Sequence, residues 1–211
     1  MKLVLLGKPG SGKGSEAGFL VKKLKIPTIS TGDMLRSMER KKTKLAKLIR
    51  SHIDKGEMVP NGIVLDIIKK RLSRPDCKKG FILDGFPRYI EQAKALEKIV
   101  RVDNAVYLDV PDSLIIRRLS SRRSCSNCGA IYNLITNLPK KSGICNKCGG
   151  KLYIRKDDKP ATIRNRLKLY NKITKPVIDF YRKKGMLVKV DGSGTIEKVG
   201  NTIIKALRTS A

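Results

Sequence analysis

Apolar residues in this chain alternate between two arrangements. Short unbroken runs, Leu3-Val4-Leu5-Leu6 and Phe81-Ile82-Leu83 among them, are separated by longer stretches whose apolar positions recur three and four residues apart. The first arrangement reads as a strand buried on both faces and the second as a helix with one apolar stripe. The pattern predicts a strand at 3–6, a helix at 13–24 on Ala17, Leu20, Val21 and Leu24, and a short strand at 26–29. Ser30-Thr31-Gly32-Asp33 then forms a turn and helix start leading through Met34, Leu35 and Arg36. A helix at 43–55 stops at Gly56, Pro60-Asn61-Gly62 turns, and a helix follows at 63–72. Strand 81–83, helix 91–100, strand 105–110 and a helix begun by Pro111 come next. A strand at 187–191, a turn at Gly192-Ser193-Gly194 and a helix at 195–207 close the chain. Strands alternating with helices define an α/β fold, a parallel β-sheet flanked by helices on both faces.

The chemistry starts at the first of these junctions. The run at 3–6 passes straight into Gly7-Lys8-Pro9-Gly10-Ser11-Gly12-Lys13-Gly14-Ser15. Glycines free the backbone to approach an anion, a helix begins where the N–H groups are unpaired, and Lys13 brings a cation among the phosphate oxygens. This is a P-loop, with Gly14 interposed before the hydroxyl of Ser15, which can reach a magnesium ion. The strand at 81–83 ends in Asp84-Gly85-Phe86-Pro87-Arg88. An acid at the carboxyl end of a parallel strand beside a P-loop is placed to hold the water shell of a nucleotide-bound Mg²⁺.

Between Arg123 and Arg155 the alternation breaks. Cys125-x2-Cys128 and Cys145-x2-Cys148 stand there, each pair followed by a glycine. Four thiolates at this spacing close a tetrahedral structural zinc site, with iron the minority alternative, and the metal supplies folding energy to an insert with few large apolar groups. Arg118, Arg122 and Arg123 precede the insert, Arg155 closes it, and Arg164 and Arg166 follow. Planar guanidinium forks from several segments suit a transferring phosphoryl group. Asp157-Asp158 are placed to orient those arginines or to lock the insert. His52 is the single histidine and Cys77 stands apart from the other four cysteines, so both read as structural or bystander residues.

Composition narrows the setting. The formal charge is +29, from 47 Lys and Arg against 18 Asp and Glu, but the lysines fall in short clusters without interleaved aromatics. That favours a solvated lysine-rich surface over specific nucleic-acid recognition. The first apolar run is too short for a signal or a membrane span, so the expected location is the cytoplasm, where five cysteines indicate metal or thiol chemistry rather than disulfides.

Taken together, Gly7 to Ser15, Ser30-Thr31-Gly32-Asp33-Met34-Leu35-Arg36, Gly56-Glu57-Met58-Val59-Pro60, Asp84 to Arg88 with Gln92, the four cysteines, Arg155-Lys156-Asp157-Asp158 and Val190-Asp191-Gly192 resemble the adenylate kinases. These belong among the nucleoside-monophosphate kinases, and the resemblance is to the long form with a zinc-bearing lid. It covers nearly the whole chain. It implies a P-loop NTPase-type sheet as core at 1–29, 60–121 and 160–211, a helical NMP-binding insert at 30–59, and a lid at 122–159. It implies ATP at Gly10, Ser11, Gly12, Lys13, Gly14, Ser15, Arg118, Arg122 and Ser193, and AMP at Thr31, Arg36, Glu57, Met58, Val59, Gly85, Arg88, Gln92, Arg155 and Arg166. Lys13, Asp84, Arg88, Arg122, Arg155 and Arg166 would carry the transfer that turns MgATP and AMP into two ADP. The expected cofactors are Mg²⁺ with ATP and structural Zn²⁺ on Cys125, Cys128, Cys145 and Cys148; the expected state is a monomer. Ser15, Glu16, Asn61 and Tyr89 depart from the residues common in the family. Two alternatives remain, a kinase for UMP, CMP or several bases and a nucleic-acid-binding P-loop ATPase with a zinc ribbon.

Overall fold

β1 (Lys2–Leu6) lies at the centre of a five-stranded sheet in a computed structural model that describes residues 1–39 and 41–209. Its place follows from its composition, since Leu3 to Leu6 are all buried and need cover on both faces. The other strands are β2 (Thr28–Ser30), β3 (Phe81–Asp84), β4 (Asn104–Asp109) and, last in the chain, β8 (Leu187–Asp191). The order is β2-β3-β1-β4-β8, all parallel, with Leu5 beside Asp84 and Leu6 beside Tyr107. The connection from β1 passes over β3 to the edge strand β2, and the one from β3 crosses back over β1 to β4, so the winding reverses at β1. The crevice outside its carboxyl end, where Gly7 follows, is the topological switch point at which such sheets bind ligands.

One face of the sheet is covered by α1 (Lys13–Leu24) and the closing helix α9 (Ile196–Thr209), through Leu20, Ile203 and Leu207. The other is covered by α2 (Thr31–Glu39), α3 (Lys44–Lys55), α4 (Asn61–Leu72) and α5 (Ile90–Ile99). Between β4 and β8 in the chain come α6 (Asp112–Ser120), α7 (Pro160–Leu169) and α8 (Lys175–Lys183), the last adding Val177, Ile178 and Tyr181 to the core of this second face. Thr43 caps α3 by accepting the Ala46 N–H at 3.1 Å, and Gly56 ends it in the left-handed region at φ 70°.

Several boundaries differ from the sequence pattern. Pro60 and Pro111 stand at the caps of α4 and α6 with extended ψ; their carbonyls accept from Val64 and Ile115 at 3.3 and 3.1 Å. Asn61-Gly62 is therefore the first turn of α4 rather than part of the preceding turn, and Pro111 precedes its helix rather than opening it. β2 starts at Thr28: the Pro27 carbonyl accepts from Ile82 at 2.9 Å, but proline has no N–H to return. The pattern also did not distinguish a π-helical turn at Tyr170–Thr174, which joins α7 to α8.

The cysteine segment forms its own antiparallel sheet, β5 (Arg122–Cys125), β6 (Ile131–Asn133) and β7 (Leu152–Tyr153), in the order β6-β5-β7. Its small cluster consists of Cys125, Tyr132 and Cys145 with Ala130 and Leu152 at the edge. No helix among the described residues is long and apolar enough to cross a membrane.

Candidate active site

A single cleft of about 810 Å³ opens at the carboxyl ends of the strands and runs from the P-loop to the α2–α3 segment. On one side Gly10, Gly12, Lys13, Gly14 and Ser15 line it. Gly12 caps α1 at φ 99°, a region that a side chain resists, and a Cβ on Gly10 would lie 2.7 Å from Leu119 Cγ. Ser11 lies buried behind the loop, its carbonyl accepting from Arg118 Nη1 at 3.3 Å. Arg118 also donates to the carbonyls of Gly192 and Ser193, at 2.9 and 3.2 Å, and so ties the P-loop to the turn after β8.

Lys13 Nζ donates to the Gly7 and Lys8 carbonyls at 2.7 and 2.9 Å. Burial pushes this ammonium down to about 8; Asp84 opposes the shift, and Arg88, Arg166 and Arg122 add to it. Burial in turn pushes the Asp84 carboxyl up against the pull of Lys13. Both groups are short of charge compensation, as a place for phosphate and its counter-ion requires.

The opposite wall carries Thr31, Arg36, Glu57, Met58 and Val59 from the α2–α3 segment, and Gly85, Arg88 and Gln92 from the loop after β3. Arg88 Nε donates to the Gly85 carbonyl at 2.9 Å, and Gln92 Oε1 accepts the Arg88 N–H at 2.7 Å. Arg36 Nη2 donates to Asp33 Oδ1 at 2.6 Å. Burial holds the Arg88 guanidinium below its ordinary value against the pull of Asp84.

Arg122, Arg155 and Arg166 face the space between these walls. Arg122 Nε and Nη2 grip both oxygens of Asp158, and Arg166 Nη1 lies 2.9 Å from Asp157 Oδ2. Arg155 Nε donates to Ser124 Oγ at 2.7 Å. Burial lowers Arg155 to about 10, with Arg36 and Arg122 reinforcing it, and lowers Arg166 to about 10 against the pull of Asp157. Cations crowded into a largely buried space this way gain most from an anion with several charges.

The structure therefore brings every sequence-predicted nucleotide residue to one cleft, Ser11 behind its wall. Two arginines of the predicted ring do not join. Arg123 bends back to the carbonyls of Ser120 and Arg122, and Arg164 points to solvent from the outer side of α7. Glu16, Tyr170 and Thr174, for which the sequence pattern predicts no role, also line the cleft. Each has a buried oxygen without a hydrogen-bond partner among the described residues. Glu16 had a signal, an acid one turn into the P-loop helix; the other two depend on the π-helical turn. His52 lies beside Glu57, Nδ1 to Oε2 3.2 Å, and Cys77 is buried against Arg71.

The four thiols of the insert have all their sulfurs within 4.8 Å of one another. Cys125 and Cys148 approach to 3.5 Å and Cys128 and Cys145 to 3.6 Å. Zn–S bonds of about 2.3 Å at tetrahedral angles set sulfurs roughly 3.8 Å apart, so the cage fits the ion. Tyr132 Oη sits 3.4 Å from Cys145 Sγ, and the Lys147 N–H donates to the same sulfur at 3.4 Å.

A parallel sheet with a P-loop at its switch point, facing a second wall of arginines across one cleft, defines a P-loop nucleotide-binding protein with room for two ligands. A family model described as adenylate kinase matches residues 5–186. Curated relatives named adenylate kinase agree over nearly full length. That of Methanocella arvoryzae is 48% identical over 216 residues, covering 100% of both chains. That of Archaeoglobus fulgidus is 49% identical over 208 residues, 96% of each. That of Staphylococcus aureus is 47% identical over 212 residues, covering 98% of this chain and 99% of its own. The chain belongs to the adenylate kinase family, nucleoside-monophosphate kinases whose chemistry is phosphoryl transfer between nucleotides.

Proposed function

We propose that the protein catalyses reversible transfer of the γ-phosphoryl group of MgATP to AMP, yielding two ADP. The observation that carries this reading is the single cleft holding Lys13 on one wall and Arg88 and Gln92 on the other. Donor phosphates would lie against the N–H groups of Gly10 to Ser15 with Lys13 among their oxygens. Arg88 and Arg36 would hold the acceptor phosphate, with Thr31 and Gly85 below it and the backbone of Glu57, Met58 and Val59 beside its nucleoside. Arg118 and Ser193 would flank the donor base.

The acceptor oxygen is ionised at neutral pH, so no general base is required. Arg122, Arg155 and Arg166 would neutralise the charge that develops during in-line transfer. Asp84 would hold Mg²⁺ through its water shell; the ion supplies charge neutralisation at the donor phosphates. Residues 122–159 would act as the lid, folded by zinc, and 30–59 as the acceptor flap, set on a core of 1–29, 60–121 and 160–211. Lid closure, for which adenylate kinases are a standing example, would exclude water as the competing acceptor.

Gln92 favours AMP for a specific reason. Its carbonyl oxygen already accepts the Arg88 N–H, so the side chain offers a base only its NH₂ donors. Those suit adenine N1, an acceptor, and repel the N3–H of uracil. CMP, with an acceptor at N3, is the second reading. The test is diphosphate production from MgATP with AMP, CMP, UMP and GMP in turn. AMP should be the fastest acceptor and UMP the slowest; turnover with AMP no faster than with water would refute the proposal.

A further inference from the structure

Lysine clusters that are scattered in the sequence converge in the fold. In a parallel sheet with crossover helices, every helix that returns to start a strand ends at the amino edge, opposite the cleft. Here those helix ends are basic. α1 finishes with Lys22 and Lys23, α4 with Lys69 and Lys70, and α8 with Arg182 and Lys183. Lys78 and Lys79 then lead into β3, and α9 ends with Arg208 in its last turn. The strand ends show the opposite polarity, since β3, β4 and β8 terminate in Asp84, Asp109 and Asp191 at the cleft edge.

Lysine in a last helical turn complements the helix dipole, which explains one or two cations per helix. The acids at this edge are already engaged. Asp76 pairs with Arg71 at 2.6 Å, Glu97 with Lys184 at 2.7 Å and Asp179 with Arg182, and Asp103 accepts the Lys2 N–H at 2.7 Å. Among the described residues Lys22, Lys23, Lys78, Lys79, Lys183 and Arg208 are exposed and form no ion pair within 4.0 Å. Between α1 and α9 the edge is also concave, a groove of about 410 Å³ lined by Lys23, Lys205 and Arg208 with no acid.

We propose that this amino-edge face docks the phosphate backbone of nucleic acid, independently of sequence, leaving the nucleotide cleft on the opposite edge free to turn over. The chemistry favours that partner over an anionic membrane. The large apolar side chains at this edge, Met1 and Ile99, are single and only 42% and 38% exposed, so no apolar stripe is available to enter a bilayer. The lack of aromatics on the groove argues for backbone contact without base stacking. The zinc insert plays no part in it.

The test uses the full chain with a fluorescent 20-nucleotide RNA and the same sequence as duplex DNA, titrated over a salt series. Binding is expected with a log–log salt slope of about −4, unchanged by saturating MgATP and AMP. The triple variant Lys22→Glu, Lys78→Glu, Lys183→Glu should bind at least tenfold more weakly and keep wild-type turnover. A control with equal charge change on α3 and the segment before it, Lys42→Glu, Lys44→Glu, Lys47→Glu, should stay within twofold of wild type. Equal weakening by both triples, displacement by the nucleotides, or capture by anionic vesicles without nucleic-acid binding would each overturn the proposal. None of these outcomes bears on the kinase reading, which is tested separately by diphosphate production.

Discussion

Arg122 and Asp158 meet side by side at the base of the cysteine insert, with Nε and Nη2 donating to the two carboxylate oxygens at 2.7 and 2.5 Å. The Asp158 side chain is fully buried, and its Oδ1 also lies 3.6 Å from Arg166 Nη1. One acid thus positions two of the proposed transfer arginines. Asp158→Ala leaves both cations without that partner and is expected to cost roughly 3 kcal/mol in urea unfolding. It should also lower kcat more than it raises either KM; unchanged stability with unchanged kcat would contradict the assignment.

Arg88 is expected to act on the acceptor alone. Arg88→Ala should lower kcat/KM for AMP by about 10²- to 10³-fold, as loss of a charge-stabilising donor does, while leaving MgATP affinity nearly intact. Isothermal titration with a non-hydrolysable donor checks the second half. An equal loss of donor affinity would place Arg88 on the wrong wall.

Cys128→Ser opens the sulfur cage. Bound zinc, measured by elemental analysis, should be lost and the melting temperature should fall, while turnover at low temperature is largely retained. A melting temperature that does not move after the metal has gone would rule out a structural role.

Lys13 gives a pH prediction with a definite sign. Its folded value of about 8 lies below the ordinary 10.5. Between those values the unfolded chain holds a proton that the folded chain has released, so stability rises with pH across that window. Donor binding runs the other way, because the phosphates need the ammonium. MgATP affinity should be level up to about pH 7.5 and weaken by as much as tenfold per unit above 8. Calorimetric titrations from pH 6.5 to 9.5 would show it, and a level affinity throughout would exclude Lys13 as the phosphate ligand.

Glu16 has the opposite sense. Burial raises its carboxyl to about 7 from 4.5, with Arg118 opposing. Between 4.5 and 7 the folded chain holds the extra proton, so stability falls as pH rises through that window and the penalty is complete above it. Glu16→Gln should therefore raise the melting temperature at pH 8 and leave it unchanged at pH 4.5. An equal effect at both pH values would point to packing instead of ionisation.

Much of this was legible in the sequence because its signals are local. The run at 3–6 passes straight into the glycine loop, and the acid follows its own strand at 81–83, so each signal sits within a few residues of a strand end and parallel pairing brings them to one edge. The cysteine spacing likewise encodes its own closure. What the sequence concealed depends on distant packing. Nothing near Arg164 distinguishes it from Arg166; only the facing of α7 does. The π-helical turn that sets Tyr170 and Thr174 against the cleft has no composition of its own. The convergence of Lys22, Lys78 and Lys183 requires knowing that their helices and loops all end at the same edge of the sheet.

β5 has Arg122 at its first residue and Cys125 at its last, so a strand of roughly 10 Å joins a sulfur knot to one of the arginines proposed to grip phosphate. Reagents that oxidise or alkylate the thiolates would then lower the temperature at which phosphoryl transfer fails, without ever reaching the nucleotides. Their onset would follow the rate of sulfur chemistry, and added substrate would give protection only insofar as it keeps the knot closed.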